Sequence, residues 1–254
     1  MEPRPCSRTT VSESSGRGRS VNGPAGPNTR KAAEVSSTTI QRLIPALGYR
    51  ALTPLYDVVV RATTRERRFK RALIEQAALA PGQRVLDLAT GTGTLAIWIK
   101  RCQPEAAVTA VDGDPQVLEM ARRKGAAAGV DIEWVQALAT ELPFPAAHFD
   151  RVTSSLFFHH LDWESKARTA QEIARVLKPG GELHVADWGR PSNALLRGLF
   201  LAVQCLDGFE NTRDHAAGRL PEVFTHSGFA NVVVAQSFDT MLGTIDLLGA
   251  TRTA

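Results

Sequence analysis

Two hydrophobic periods alternate along most of this chain. From Gln83 onward, short apolar runs at strand spacing occur at Val85–Leu88, Val108–Val111, Ile132–Val135, Val152–Ser155 and Leu183–Ala186. Between them lie stretches of helical spacing at Thr94–Arg101, Pro115–Ala128 and Lys166–Leu177. Pro115 suits a first helical turn, and Asp114 before it predicts the N-cap. Such alternation predicts right-handed crossovers and a parallel sheet covered by helices on both faces. The end of the chain departs from it. Asn231–Ser237 and Gly243–Leu248 read as strands joined through Phe238–Leu242 with no helix between them. They must run antiparallel, because a parallel pair needs a crossover of about a dozen residues.

The N-terminal third reads differently. Residues 1–38 are rich in Ser, Thr, Gly, Pro and Arg. They hold too few aliphatic side chains to offset the entropy of ordering, which predicts a disordered tail. Over 39–80 the pattern is helical: Leu43, Ile44 and Leu47, then Leu52, Leu55, Val58 and Val59, then Phe69, Leu73, Ile74, Ala77 and Ala78. Pro81–Gly82 stops the third helix. The expected division is therefore a tail (1–38), a helical cap (39–80) and an α/β domain (81–254). Between Pro191 and Phe229 a further helical stripe is expected from Leu195, Leu196, Leu199, Phe200 and Val203. A polar stretch, Asp207–His215, follows it.

Composition narrows the class. No apolar run approaches the roughly 20 residues of a bilayer span, and the Met1 end lacks the apolar core of a secretory signal. Cys6, Cys102 and Cys205 are odd in number and far apart. That argues against a disulfide framework and a zinc site, and makes the cytoplasm the expected location. The net charge is +4, of which residues 1–39 supply +3 (six Lys/Arg against three Glu), too modest an excess to favour nucleic-acid binding. Residues 61–71 hold five Arg and one Lys against one Glu. A solvated helix face is the plainer reading, and a surface for anionic substrates or lipid headgroups the functional one.

The candidate chemistry begins at Arg84–Val85–Leu86–Asp87–Leu88–Ala89–Thr90–Gly91–Thr92–Gly93–Thr94. An apolar strand ends in a glycine turn, and a helix follows at once. Gly91 and Gly93 allow a sharp turn and close approach of a ligand, while the helix aims its unpaired N–H groups at that place. The next strand ends in Asp112, about 20 residues on, where a carboxylate can accept hydrogen bonds from a ribose diol. This predicts a nucleotide-type cofactor. Gly91–Thr92–Gly93–Thr94–Leu95–Ala96 also satisfies the dinucleotide pattern, so a nicotinamide-dependent oxidoreductase is the alternative.

Further stretches add to the glycine turn: Leu142–Pro143–Phe144–Pro145 with Phe149–Asp150, then Ser154–Ser155–Leu156–Phe157–Phe158–His159–His160–Leu161, then Val176–Leu177–Lys178–Pro179–Gly180–Gly181. In this order the chain resembles class I S-adenosylmethionine-dependent methyltransferases, most like the branch of the ubiquinone and menaquinone C-methyltransferases. The resemblance covers roughly residues 55–250. It implies a Rossmann-like sheet of seven strands with an antiparallel last strand, and S-adenosyl-L-methionine as cofactor. It further implies cofactor contacts from Asp87, Ala89, Gly91, Gly93 and Asp112, with Gly113, Ala139, Ser155 and a lid residue, Tyr56. The family usually carries an Asp about four residues before the Leu-Pro motif, reaching the adenine amino group. Leu138 stands there instead, leaving adenine to backbone groups near Ala139 and to apolar packing, and making a non-catalytic, cofactor-binding paralogue a further alternative.

Methyl transfer needs an aligned acceptor and exclusion of water. For a hydroxyl or activated carbon a base helps, and histidine titrates in the useful range. His159 and His160, after the fourth strand at the carboxyl edge, are the candidate catalytic residues, with Asp187–Trp188 as a candidate pocket wall. His184, inside a strand, reads as structural. The expected acceptor is a small, apolar molecule such as a quinone precursor, a lipid or a secondary metabolite.

Overall fold

The computed structural model describes residues 64–254. The expected tail, the first two cap helices and Tyr56 lie outside the described residues. Seven strands, β1 (Arg84–Leu88), β2 (Ala107–Asp112), β3 (Glu133–Gln136), β4 (Phe149–Ser155), β5 (Leu177–Trp188), β6 (Phe229–Asp239) and β7 (Thr244–Arg252), pair in the order β3-β2-β1-β4-β5-β7-β6. The strands from β1 to β5 pair in parallel, and β7 runs antiparallel to both β5 and β6. The helices are α1 (Glu66–Ala77), α2 (Thr94–Cys102), α3 (Pro115–Ala127), α4 (Trp163–Val176), α5 (Ala194–Asp207), α6 (Phe209–Ala216) and α7 (Leu220–Thr225). Asp114 caps α3 as expected, its Oδ1 accepting from the N–H of Gln116 at 2.8 Å.

Successive strand side chains point to opposite faces, and here both faces are buried, as parallel strands require. Val85 packs on one side with Phe69, Leu73, Leu95 and Phe200. Leu86 and Leu88 pack on the other with Ala170, Ile173 and Phe224. The helix α1, which its sequence groups with the cap, thus lies in the first of these cores. Its basic stretch is not uniform: Arg65, Arg67, Arg68 and Arg71 are exposed, but Lys70 turns inward and donates to buried Glu66 at 2.6 Å.

The stripe on α5 differs from the expected one. Leu196, Phe200 and Val203 are buried, whereas Leu195 is 73 % exposed and Leu199 also faces out. Residues 196, 200 and 203 share one helix face, and 195 and 199 lie a residue off it. Most of the polar stretch after it forms α6. His184 is structural, as its strand position implies: Gln76 Nε2 lies 3.1 Å from its Nδ1, and burial lowers its pKa to about 4.

Candidate functional site

The turn between β1 and α2 is held from below. Buried Asp87 accepts from Thr90 Oγ1 at 2.6 Å and from Thr153 Oγ1 at 3.0 Å, so it ties the turn to β4. Burial pushes its carboxyl up to about 6 against those hydrogen bonds. Ala89 and Gly91 both adopt positive φ, 52° and 56°; for the alanine this is strained backbone of the kind found at functional turns.

The two glycines do different work. A Cβ on Gly93 would meet the Trp134 ring at 2.7 Å and Ala121 Cβ at 3.0 Å, so this glycine exists for packing beneath the turn. Among the described residues, a Cβ on Gly91 would meet nothing within 4 Å. Gly91 therefore presents bare backbone that these residues leave open, where a ligand can lie against it.

Asp112 closes the turn from the neighbouring strand. Its Oδ2 accepts from the N–H of Gly91 at 2.8 Å, and its Oδ1 accepts from the N–H of Asp114 at 3.0 Å. Burial raises its pKa despite these bonds. A carboxylate offers about four lone-pair sites, so the hydrogen bonds among the described residues leave two for hydroxyl donors. Asp112 also pairs in register with Gln136, and the N–H of Ala137 donates to its carbonyl at 3.1 Å. This brings Leu138 and Ala139 to the same edge. Leu138 is 39 % exposed there, an apolar surface where the family's acid would stand. Ser155 and the positive-φ Leu156 (54°) end β4 on this edge.

Beyond β4 and β5 the edge is made of ionisable side chains. Phe158–His160 form a single 3-10 turn, whose start is pinned by Asp187. One carboxylate oxygen of Asp187 accepts from the N–H groups of Phe157 (3.0 Å) and Phe158 (2.7 Å). The other accepts from His159 Nδ1 and from the N–H of Trp188, both at 2.7 Å. Burial alone would raise the Asp187 pKa, but the His159 charge and hydrogen bond, with His215 nearby, hold it well below the carboxylate range. His159 Nε2 faces Asp207 Oδ2 at 3.7 Å, and His160 Nδ1 faces Asp207 Oδ1 at 3.6 Å. Burial disfavours charge on both rings. Asp187 and Asp207 nonetheless raise the His159 pKa, whereas His160, beside His159, falls well below the ordinary value. The pair thus holds one proton more readily than two.

The corner between α5 and α6 locks onto this cluster. Lys166 Nζ donates to Asp214 Oδ2 and to the carbonyl of Asn211, both at 2.7 Å. His215 Nδ1 lies 2.7 Å from the carbonyl of Trp188. Asp207 and His215 were not among the expected site residues. Both sit in the polar stretch, and nothing local marks them; only the fold brings them to His159.

The comparisons with known proteins bear on the family. Residues 85–181 match the family model described as a methyltransferase domain. A demethylmenaquinone methyltransferase of Thermus thermophilus is 38 % identical over 143 residues, 55 % of this chain and 64 % of that protein. A ubiquinone/menaquinone biosynthesis C-methyltransferase of Shewanella pealeana is 34 % identical over 157 residues, 60 % of this chain and 62 % of that one. Over this region the chain resembles these methyltransferases. It spans a little under two thirds of the length of these relatives. The fold agrees. A SAM-dependent methyltransferase structure from Methanosarcina mazei superposes with a TM-score of 0.59 at 18 % identity, covering 71 % of this chain and 97 % of that one. One from Aquifex aeolicus gives 0.56 at 18 %, covering 72 % and 89 %. The dinucleotide alternative loses ground for a physical reason as well, since the dinucleotide fold continues past its fifth strand in parallel, whereas here β7 reverses.

The remaining motifs are clamps. Arg175 donates to the carbonyls of Leu142 (2.9 Å) and Phe144 (2.7 Å), and Glu172 accepts from the N–H of Leu142 at 2.8 Å, which fixes the Leu-Pro motif to α4. Asp150 accepts from Lys178 Nζ at 2.6 Å and from the N–H of Arg84 at 2.8 Å. These contacts join the starts of β1, β4 and β5, at the edge opposite the site.

Proposed function

We propose that this chain transfers a methyl group from S-adenosylmethionine to a small, apolar acceptor, with quinone precursors the first class to test. The observation that carries this reading is the pairing of open space over Gly91 with the half-satisfied Asp112 carboxylate beside it. Those residues fit the cofactor: Asp112 would accept from its ribose hydroxyls, the backbone of Ala89, Gly91 and Gly113 would lie against it, and Leu138 and Ala139 would pack on its adenine. When bound, the cofactor supplies an electrophilic methyl group. Asp87 acts from beneath by holding the turn in shape. His159 and His160 are assigned to the acceptor side, where an imidazole oriented by Asp187 can take a proton from the acceptor. The names of the relatives, which specify quinone methylation, support the acceptor class.

The test is calorimetric titration of the purified protein with S-adenosylhomocysteine. Micromolar binding is expected, weakened by about 2 kcal/mol or more in Asp112→Ala, since a charge-assisted hydrogen bond goes. Undiminished affinity in that variant would overturn the assignment of Asp112. Binding of NAD in place of S-adenosylhomocysteine would overturn the reading as a whole.

A further inference from the structure

His159, His160 and Asp207 form a group that the glycine turn does not use. One ligand atom from each lies within 4.8 Å of the others. The two imidazole nitrogens face the two oxygens of one carboxylate at 3.7 and 3.6 Å. These gaps are too long for hydrogen bonds. They are close to the separation of roughly 3.4 Å between neighbouring tetrahedral ligands that each lie about 2.1 Å from a metal ion. His160 Nδ1 is buried with no hydrogen-bond partner among the described residues, and such an orphan calls for an explanation.

The surroundings favour a cation over an empty gap. Asp187 takes the Nδ1 side of His159 at 2.7 Å, which fixes the tautomer and leaves the Nε2 lone pair directed at Asp207. A carboxylate behind a histidine in this way is the usual outer support of a metal-bound imidazole. Asp187 and Asp207 together carry two negative charges. The nearby Lys166 is already neutralised by Asp214 at 2.7 Å. Asp207 is held in place because the α5–α6 corner is tied down by Lys166, by His215 and by Asn211, whose Nδ2 donates to the carbonyl of His160 at 3.2 Å. The expectation of no zinc site rests on the cysteines, whereas this set is made of histidine and aspartate.

We infer that His159 Nε2, His160 Nδ1 and the Asp207 carboxylate bind a divalent transition-metal ion, Zn²⁺ fitting the two-imidazole, one-carboxylate set best. Three protein ligands leave at least one position for water or an oxygen of a small molecule. The ion uses the lone pairs that a general base needs, so the site holds either an ion or a transferable proton. The inference does not depend on the methyl-transfer reading, and its test does not require turnover.

The full chain, without a histidine tag and stripped with a chelator, is titrated with ZnCl₂ in competition with a chromophoric chelator. One equivalent is expected to bind at micromolar affinity or tighter, with release of protons as ligands lose them. His160→Gln and Asp207→Asn should each weaken binding at least tenfold, while His226→Gln, just after α7 and away from the cluster, should leave it unchanged. Should either variant fail to fold, X-ray absorption of the zinc-loaded unaltered protein decides, with two imidazole scatterers expected. No stoichiometric binding would overturn the inference and leave the cluster as an imidazolium facing Asp207. Undiminished binding in both variants, or a spectrum without two imidazoles, would overturn it by placing the metal elsewhere.

Discussion

Around β1 and β2 the carboxyl edge is made of backbone, and around β4 and β5 it is made of ionisable side chains. On the first side Asp87 and Asp112 spend their oxygens on Thr90, Thr153, Gly91 and Asp114. The exposed feature is bare main chain over Gly91. On the second, Asp187 organises His159, Asp207 stands 3.6 and 3.7 Å from two rings, and buried imidazole nitrogens of His160 and His215 lack hydrogen-bond partners among the described residues. Under the proposed function the difference is one of purpose. A cofactor would be gripped through a turn whose shape does the work, and an acceptor, a proton or a metal ion would be met by groups whose charge does.

The largest effect is expected where the side-chain edge is anchored. Asp187→Ala removes the acceptor of three backbone N–H groups and of His159 Nδ1. Each buried donor left unpaired costs roughly 1–3 kcal/mol. Urea unfolding should show a loss of about 5 kcal/mol, together with a displaced 3-10 turn. A loss below about 2 kcal/mol would mean that Asp187 is a spectator.

Next come the two glycines of the turn. Gly93→Ala meets Trp134 at 2.7 Å in a backbone of φ +76°, combining overpacking with left-handed strain at about 3.5 kcal/mol. Gly91→Ala carries only the strain, about 1–2 kcal/mol, but puts a methyl group into the open space. Thermal unfolding should rank Gly93→Ala as the less stable protein. Binding of S-adenosylhomocysteine should fall further in Gly91→Ala than its loss of stability explains. Equal behaviour of the two would erase the distinction between a packing glycine and a contact glycine.

Asp87 offers a pH test on the same turn. Its folded pKa of about 6 lies above the unfolded value near 3.8. The native state therefore binds the proton more tightly, so stability is greatest below about pH 4 and falls as pH rises through about 6. For this group alone the fall is roughly 3 kcal/mol. Asp87→Asn, which cannot ionise, should flatten the stability profile between pH 4 and 6.5 relative to the unaltered protein. An identical slope in both would show that the carboxyl is not held protonated by burial.

The same division explains what the chain discloses before it folds. The β1–α2 turn and Asp112 lie within 30 residues, and the strand and helix periods place them, so both the sheet and the cofactor edge are legible in order. The antiparallel end is legible because Phe238–Leu242 is too short for any crossover. The second edge draws on positions 159, 187, 207 and 215, joined by no local pattern. His159 and His160 can be marked as reactive types, but their partner Asp207 closes a helix on which only Leu196, Phe200 and Val203 of the expected stripe are buried. Side-chain clusters of this kind exist only after β5, α5 and α6 have packed.

Leu138 is where the backbone edge departs from the methyltransferases that it resembles, and it gives the smallest and most specific prediction. The exposed side chain follows Ala137, whose N–H donates to the Asp112 carbonyl, and under the proposed function it offers adenine only apolar contact. Leu138→Asp introduces an acceptor for the adenine amino group at the cost of that contact and of repulsion from Asp112. A hydrogen bond to a charged group is worth roughly 1.5–3 kcal/mol, and the repulsion and the lost packing together offset about half of it. Affinity for S-adenosylhomocysteine should therefore tighten by about 1 kcal/mol, near fivefold, with unfolding unchanged within roughly 0.5 kcal/mol for a surface position. The gain should vanish for an analogue lacking the adenine amino group. A variant that binds more weakly, or equally well without that group, would mean that the loop after β3 presents its backbone to the base and that Leu138 packs as the site requires.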